Sequence, residues 1–261
     1  MAPGDISDTL PAACSATPVT PQQHEQQEKQ PAPALASGPA AIDGTAAAGS
    51  SQKTVAEYLA AYPHLTDLDR HILQLPSDAH FTPHSWADLH RLIGANHLHL
   101  LTRSPSQTRA YLDWTSAVRQ QFGSITSYLL AERLRWTPLP NDADGPVFAF
   151  TDPTPFADPD DYLVLQNDWP YGLAPGIVHI CVWLKTPLAL KPDDGDLTDD
   201  ARAQVEAFVT RTFREPLGEA AKGERVLWFK NWAKLQSVRG IDHVHVLVDD
   251  APPEQLRRWM K

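Results

Sequence analysis

The sequence predicts an α+β domain in which a mostly antiparallel sheet has one face covered by helices. The first reason is the order of the patterns after residue 53. Apolar residues at helical spacing come first, and strand patterns with one inserted helix follow. The second reason is alternation, because residues 176–185 and 243–248 alternate apolar with polar or aromatic residues. We therefore expect an N-terminal helical segment followed by an antiparallel sheet.

Residues 1–53 are expected to form a disordered tail, and residues 54–261 a single α+β domain. The tail contains no tryptophan, tyrosine or phenylalanine and is rich in Pro, Ala, Gln, Ser and Gly. Such a segment buries too little apolar surface to offset the entropy lost on ordering. It also lacks the basic start and apolar run of a secretory signal, so we expect none.

Helical spacing organises the region from Thr82 to Trp136. Thr82 is the predicted cap of one helix, with Pro83 in its first turn. A longer helix is predicted from Pro105, and a further one that ends near Trp136. The apolar stripe of the long helix consists of Tyr111, Trp114, Val118 and Phe122.

Short strand patterns dominate the second half of the chain. Strands are predicted at residues 162–166 and 176–185, from Val226, and over 243–248, with a possible short one at 147–150. A helix is expected around Val205, capped by Thr198 or Asp199, and a short helix after Pro252.

Two strands place imidazoles opposite apolar faces. His243 and His245 share one face of a strand whose other face is valine, and His179 lies opposite the apolar face of residues 176–185. Burying an unpartnered polar group costs about 1–3 kcal/mol, so packing alone gives little reason for these histidines. If both strands join one sheet, the three histidines gather on its open face. We take them as candidate catalytic residues.

Aromatic and polar residues near the histidines form a candidate ligand site. Flat aromatic faces with a few polar neighbours suit a sugar ring or a base, although an ordinary aromatic core explains the tryptophans equally well. A lysine side chain suits phosphate oxygens. The candidate ligand-binding residues are Asn167, Asp168, Trp169, Trp183, Trp228, Lys230, Trp232, Gln236 and Ser237.

The bulk properties exclude several classes of protein. The formal charge of −10 argues against nucleic-acid binding, and no apolar run approaches the roughly 18 residues that a membrane span needs. The two cysteines, Cys14 and Cys181, fit a reducing compartment such as the cytoplasm. Three histidines would suit zinc, but we find no carboxylate or cysteine at an obvious ligand spacing, so we expect no metal or other cofactor. The oligomeric state stays open.

Several segments resemble the fungal N-acetylglucosamine-induced proteins, which share a domain of unknown function. The resemblance covers about residues 54–260 and is carried by residues 167–172, 176–183, 226–232 and 236–238, and by Asp242–His245. It implies a cytoplasmic fungal protein of the N-acetylglucosamine response, linked to amino-sugar or nucleotide-sugar metabolism. The implied partner is a small molecule, either a sugar phosphate or a nucleotide sugar.

A weaker similarity links the chain to histidine-triad nucleotide hydrolases and transferases. It rests on Asn167-Asp-Trp-Pro170, His179, Gln236-Ser-Val238 and the two strand histidines, and it implies that His243 takes the nucleophile's place and His245 that of the last triad member. Ile241 stands where the first histidine belongs, and the connection from Gln236 is one residue longer. Three functions therefore stay open: a binder of a phosphorylated or nucleotide-linked amino sugar, a histidine-triad-like phosphoester hydrolase or nucleotidyl transferase, and a non-catalytic regulatory or protein-interaction module.

Overall fold

The structure is a computed structural model that describes residues 53–140, 145–193, 195–219 and 223–260. The predicted tail, apart from its last residue, lies outside the described residues. The single domain predicted for residues 54–261 stays a prediction.

The sheet has four antiparallel strands, which confirms the predicted α+β class. The strands are β1 (Tyr162–Gln166), β2 (Ile177–Leu184), β3 (Val226–Phe229) and β4 (His243–Asp249), in the spatial order β1-β2-β4-β3. The prediction of a short strand at residues 147–150 was wrong, because this segment forms only an isolated bridge between Leu139 and Val147.

Helices precede the sheet and flank its strands. The N-terminal ones are α1 (Val55–Ala61), α2 (Asp67–Gln74), α3 (Trp86–Gly94), α4 (Pro105–Phe122) and α5 (Ile125–Tyr128), which continues as a wider π-helical turn to Leu134. The later ones are α6 (Asp199–Val209), α7 (Glu215–Leu217) and α8 (Pro253–Trp259). The described helices include none that is long and apolar enough to span a membrane.

Local caps explain where the helices begin. Thr198, one of the two predicted candidates, caps α6, and α4 begins at Pro105 as predicted, with Ser104 as its cap. The predicted start of α3 at Thr82 was wrong. Ser85 is the cap, because its hydroxyl and the Asp88 carboxylate each accept the other residue's backbone N–H at 3.2 Å.

The valine face of the sheet packs against helices, which confirms the predicted helix-covered face. Ile180 and Val182 of β2 lie beside Val244 and Val246 of β4, and all four are fully buried. The partners of this core come from α6, from the turn after it and from α8, and include Val205, Phe208, Phe213, Leu256 and Trp259.

The opposite face of the sheet carries His179, His243 and His245, and we call it the histidine face. Helices cover this face as well, whereas we expected it to be open. Cys181 and Trp183 of β2 pack against Val118 of α4 and Ile125 and Tyr128 of α5. Further along the same face, α3 packs against β3 and β4 through Leu89, Leu92, Phe229 and Leu247. The N-terminal helices have apolar stripes of their own to bury, and this face of the sheet supplies the surface.

We expect Asp161→Ala to lower the free energy of unfolding by about 2 kcal/mol, because it would remove the hydrogen bonds that a buried carboxylate accepts from two backbone N–H groups. The Asp161 side chain is 1% exposed, and its carboxylate accepts the backbone N–H groups of Thr151 and Asp152 at 2.8–2.9 Å, which anchors the start of β1. Urea unfolding measures the loss. Asp160→Ala, at an exposed neighbour, is the control; equal stability of both variants would contradict this role.

Candidate functional site

A cavity of about 220 Å³ lies on the histidine face of the sheet. Its walls come from the end of β1 and the loop after it, from β2 and β4, from α4 and α5, and from the loop between β3 and β4. The predicted site residues that line this cavity are Asn167, Asp168, Trp169, Trp183, Ser237, His243 and His245.

The three predicted imidazoles lie together beside the cavity. His179 Nε2 is 3.0 Å from His245 Nδ1, and the rings of His243 and His245 meet edge to face with centroids 5.2 Å apart. Asn231 Nδ2 lies 3.2 Å from His245 Nε2, and Asn167 Nδ2 lies at a similar distance from His179. The strands thus bring the rings to one place, and loop amides hold their outer edges.

Burial keeps these imidazoles neutral. It lowers the pKa of His179 to about 3 and the pKa of His243 to about 4, and it holds the pKa of His245 well below the ordinary value. Nearby cationic groups, including Arg103 and Lys230, lower these pKa values further. Near pH 7 the rings can accept hydrogen bonds or donate a lone pair, but they carry no positive charge for a phosphate.

His243 has one defined tautomer. Its Nδ1–H donates to the carbonyl oxygen of Ile241 at 2.9 Å, and its ring stacks on Trp183 with centroids 4.5 Å apart. Because Nδ1 carries the proton, Nε2 carries the lone pair. No described residue hydrogen-bonds this nitrogen, and His243 lines the cavity.

Arg103 is a site residue that sequence reasoning missed. Its Nη2 donates to the Trp169 carbonyl at 2.8 Å, and its guanidinium lies 4.4 Å from the centre of the Tyr111 ring. Among the described residues no carboxylate pairs with Arg103, and its Nε is buried without a hydrogen-bond partner. The residue lies in a loop just before the α4 cap and belongs to no motif, so the sequence carries no signal for it.

The cavity wall is rich in buried hydrogen-bond donors. Within the described part of the chain, the N–H groups at Arg103 Nε, Arg133 Nε, Trp114 Nε1 and Trp169 Nε1 have no hydrogen-bond partner. Buried polar groups are nearly always paired, so four unpaired donors on residues that line one cavity suit acceptor oxygens, from ordered water or from a ligand.

Asp168 is tied to the cavity wall by an ion pair. Its carboxylate lies 2.8 Å from Arg133 Nη2. Burial raises the pKa of Asp168, and the Arg133 guanidinium opposes that rise. No hydrogen bond joins Asp168 to a histidine among the described residues, so the carboxylate positions Arg133 rather than an imidazole.

A larger groove of about 580 Å³ adjoins the cavity. The cavity and this outer groove share Arg103, Tyr111 and Ser237 as lining residues, and the Tyr111 hydroxyl donates to Ser237 Oγ at 2.7 Å. The cationic residues of the outer groove are Arg103, Arg119, Lys234 and Arg239, against Asp69 as the carboxylate among its described lining residues. This local excess of positive charge stands out in a chain whose formal charge is −10.

Trp228 and Lys230 do not line the cavity. Trp228 pairs with Val246 in the ladder and therefore lies on the valine face, where its Nε1 donates to Glu206 at 2.7 Å. Lys230 Nζ lies 3.0 Å from the Asp242 carboxylate, so its charge is already matched.

Trp232 and Gln236 lie near the site but outside the cavity. Trp232 Nε1 donates to Asn96 at 3.2 Å. Gln236 lines the outer groove, and its Nε2 donates to the Asn231 carbonyl at 2.8 Å. Gln236 therefore supports Asn231, which in turn contacts His245.

Comparison with known proteins identifies relatives in two yeasts. The chain is 30% identical over 179 residues to "N-acetylglucosamine-induced protein 1" of Candida albicans, across 64% of this chain and 69% of that protein. It is 29% identical over 164 residues to "Uncharacterized protein YPL067C" of Saccharomyces cerevisiae, across 62% and 77%. A solved structure titled "Crystal Structure of HTC1" matches with a TM-score of 0.51 and 28% identity, across 67% of this chain and 91% of that one.

A family profile extends the similarity across the whole sheet and the helices that cover the histidine face. The profile is described as "Protein of unknown function (DUF3605)" and matches residues 85–249. This range contains α3, α4 and all four strands. Because the match spans more than half of the sequence, this chain belongs to the DUF3605 family.

Proposed function

We propose that this protein binds a phosphorylated or nucleotide-linked amino sugar in the cavity and outer groove, as part of a cytoplasmic response to N-acetylglucosamine. The name of the Candida albicans relative supports the link to N-acetylglucosamine. The chemistry of the cavity wall supports the class of ligand.

The unpaired donors of the cavity carry the proposal. An N-acetylated sugar presents hydroxyl and carbonyl oxygens, which match the N–H groups of Arg103, Arg133, Trp114 and Trp169. The cavity volume of about 220 Å³ exceeds the roughly 150 Å³ that holds a benzene ring. The cavity therefore has room for one six-membered ring, and the tryptophans offer flat faces for it.

The outer groove supports a phosphate beside that ring. Arg103 lines both spaces, and Arg119, Lys234 and Arg239 continue the positive charge outward. A guanidinium is suited to phosphate oxygens because it donates several hydrogen bonds in one plane. A nucleotide sugar would then place its ring inside and its phosphates along the outer groove.

We expect Arg103→Gln to weaken binding of N-acetylglucosamine 6-phosphate and of UDP-N-acetylglucosamine by about 10- to 100-fold, which is the usual cost of losing a hydrogen bond to a charged group. Wild-type protein should bind both, with a rise in melting temperature. Isothermal titration calorimetry and thermal-shift assays measure these effects, with unphosphorylated N-acetylglucosamine as the comparison ligand.

Arg202→Gln is the matched control. Arg202 pairs with Asp196 at 2.8 Å and lines neither the cavity nor the outer groove. Its substitution removes the same charge and should leave ligand affinity unchanged. If neither ligand binds to the wild-type protein, the ligand class is refuted. If both variants lose the same affinity, Arg103 is not the anchor.

A histidine-triad-like phosphoester hydrolase or nucleotidyl transferase is the second candidate. It is favoured by His243, whose Nε2 lone pair belongs to a neutral ring at the cavity wall. Nε2 would attack phosphorus, forming an N–P bond as the P–O bond to the leaving group breaks. Water or an acceptor alcohol would then take the phosphoryl or nucleotidyl group and restore the imidazole.

If this second candidate is correct, His243→Ala should lower turnover of UDP-N-acetylglucosamine by at least about 100-fold, as expected when a reacting group is lost. His71→Ala, at an exposed position on α2, should turn over at the wild-type rate. Release of nucleotide or phosphate measures both. Equal turnover by wild type and His243→Ala would remove His243 from catalysis, and binding without any turnover would favour the non-catalytic regulatory role.

A further inference from the structure

A cluster of metal-ligating groups lies at the cavity wall where β2 and β4 pair, and it includes two of the three site histidines. His179, Cys181 and His245 are all buried, and one ligand atom of each lies within 4.8 Å of the others. The register places Cys181 directly opposite His245, and His179 is two residues from Cys181 on the same face of β2. Ladder pairing therefore brings a thiol and two imidazoles together on a rigid part of the sheet.

We propose that His179 Nε2, Cys181 Sγ and His245 Nδ1 bind one thiophilic transition-metal ion, either Zn²⁺ or Cu⁺. The two nitrogens are 3.0 Å apart, and Sγ is 3.4 Å from His245 Nδ1. With ordinary Zn–N and Zn–S bond lengths, tetrahedral ligands lie about 3.3 Å apart for two nitrogens and about 3.6 Å for nitrogen and sulfur. Both distances are within a few tenths of an ångström of these values. The third pair, His179 Nε2 and Cys181 Sγ, lies within 4.8 Å, so an ion would draw these two atoms closer together.

The ligand types narrow the choice of ion. Thiolate and imidazole together select zinc and copper over magnesium or calcium, which prefer oxygen. The ligand is the thiolate, so binding must release the Cys181 proton to solvent. Cu⁺ with one thiolate is neutral, which is the least costly charge in a buried place near the Arg103 guanidinium. Zn²⁺ would leave one positive charge between the Arg103 guanidinium and the Asp168 carboxylate, which already pairs with Arg133.

The surroundings of His245 suit coordination through Nδ1. When Nδ1 binds an ion, Nε2 carries the proton and needs an acceptor. Asn231 Nδ2 lies 3.2 Å from Nε2, whereas Asn231 Oδ1 is buried and, among the described residues, unpartnered. The oxygen and nitrogen of a side-chain amide are distinguished only by their hydrogen bonds. Rotating the Asn231 amide by 180° places Oδ1 against His245 Nε2–H. That orientation gives His245 the outer partner that a metal-bound histidine usually has.

Metal titration of the purified full-length chain, stripped with a chelator, tests the proposal. Co²⁺ replaces Zn²⁺ in one arm, and Cu⁺ competes with a chromophoric chelator in an anaerobic arm. One ion should bind per chain in at least one arm, and the cobalt complex should show a thiolate-to-metal charge-transfer band. Cys14→Ser should bind the ion like wild type. Loss of a residue that only hydrogen-bonds a metal ligand lowers metal affinity by roughly 10- to 100-fold, and Cys181→Ser, which removes a ligand, should lower it by more.

The alternative is a metal-free hydrogen bond between His179 and His245, with Cys181 as a packing residue. Failure of wild type to bind either ion, or an unchanged cobalt band in Cys181→Ser, would overturn the metal site. His179→Gln is a second variant in case Cys181→Ser fails to fold, and the wild-type titration decides without any variant. Sugar binding is measured in a separate assay, so failure of the metal site is distinguished from failure of the proposed function.

Discussion

The pairing register of β2 and β4 is the constraint on which both the core and the site depend. Cys181 opposite His245 and Trp183 opposite His243 form the site face, while Ile180 opposite Val246 and Val182 opposite Val244 form the core face. A slip by one residue would exchange the two faces, placing imidazoles in the α6 core and valines at the cavity. The hydrophobic effect on the valine face therefore fixes the positions of the reactive side chains on the other face.

Covering the histidine face with α4 and α5 changes what the histidines can do. Buried imidazoles are neutral near pH 7, so they suit lone-pair chemistry or coordination rather than holding an anion by charge. Positive charge comes instead from Arg103, which lines both the cavity and the outer groove. The fold thus places neutral imidazoles beside cationic side chains that continue into the outer groove, which suits a ligand with a neutral ring and a phosphate.

The sequence predicted what depends on local pattern and missed what depends on distant contacts. Alternation along β2 and β4 predicted their faces, and the pair Thr198 and Asp199 predicted the start of α6, because each signal lies within a few residues. The cover over the histidines depends on how α4 packs, and Arg103 lines the cavity because its loop lies against the loop after β1, where it donates to the Trp169 carbonyl. Trp228 looked like a ligand residue by proximity in sequence, but its register with Val246 places it on the core face.

The cluster of His179, Cys181 and His245 also depends on a contact between residues that are distant in the sequence. The spacing from His179 to Cys181 is visible in the sequence, but the third member comes from β4, and only the register joins it to them. Cys181 and His245 also line the cavity, so an ion at the cluster and a ligand in the cavity would share side chains. Two ligands that share side chains are energetically coupled, and linkage makes that coupling reciprocal. Ion binding would then alter ligand affinity to the same degree that the ligand alters ion affinity, through the floor of one cavity.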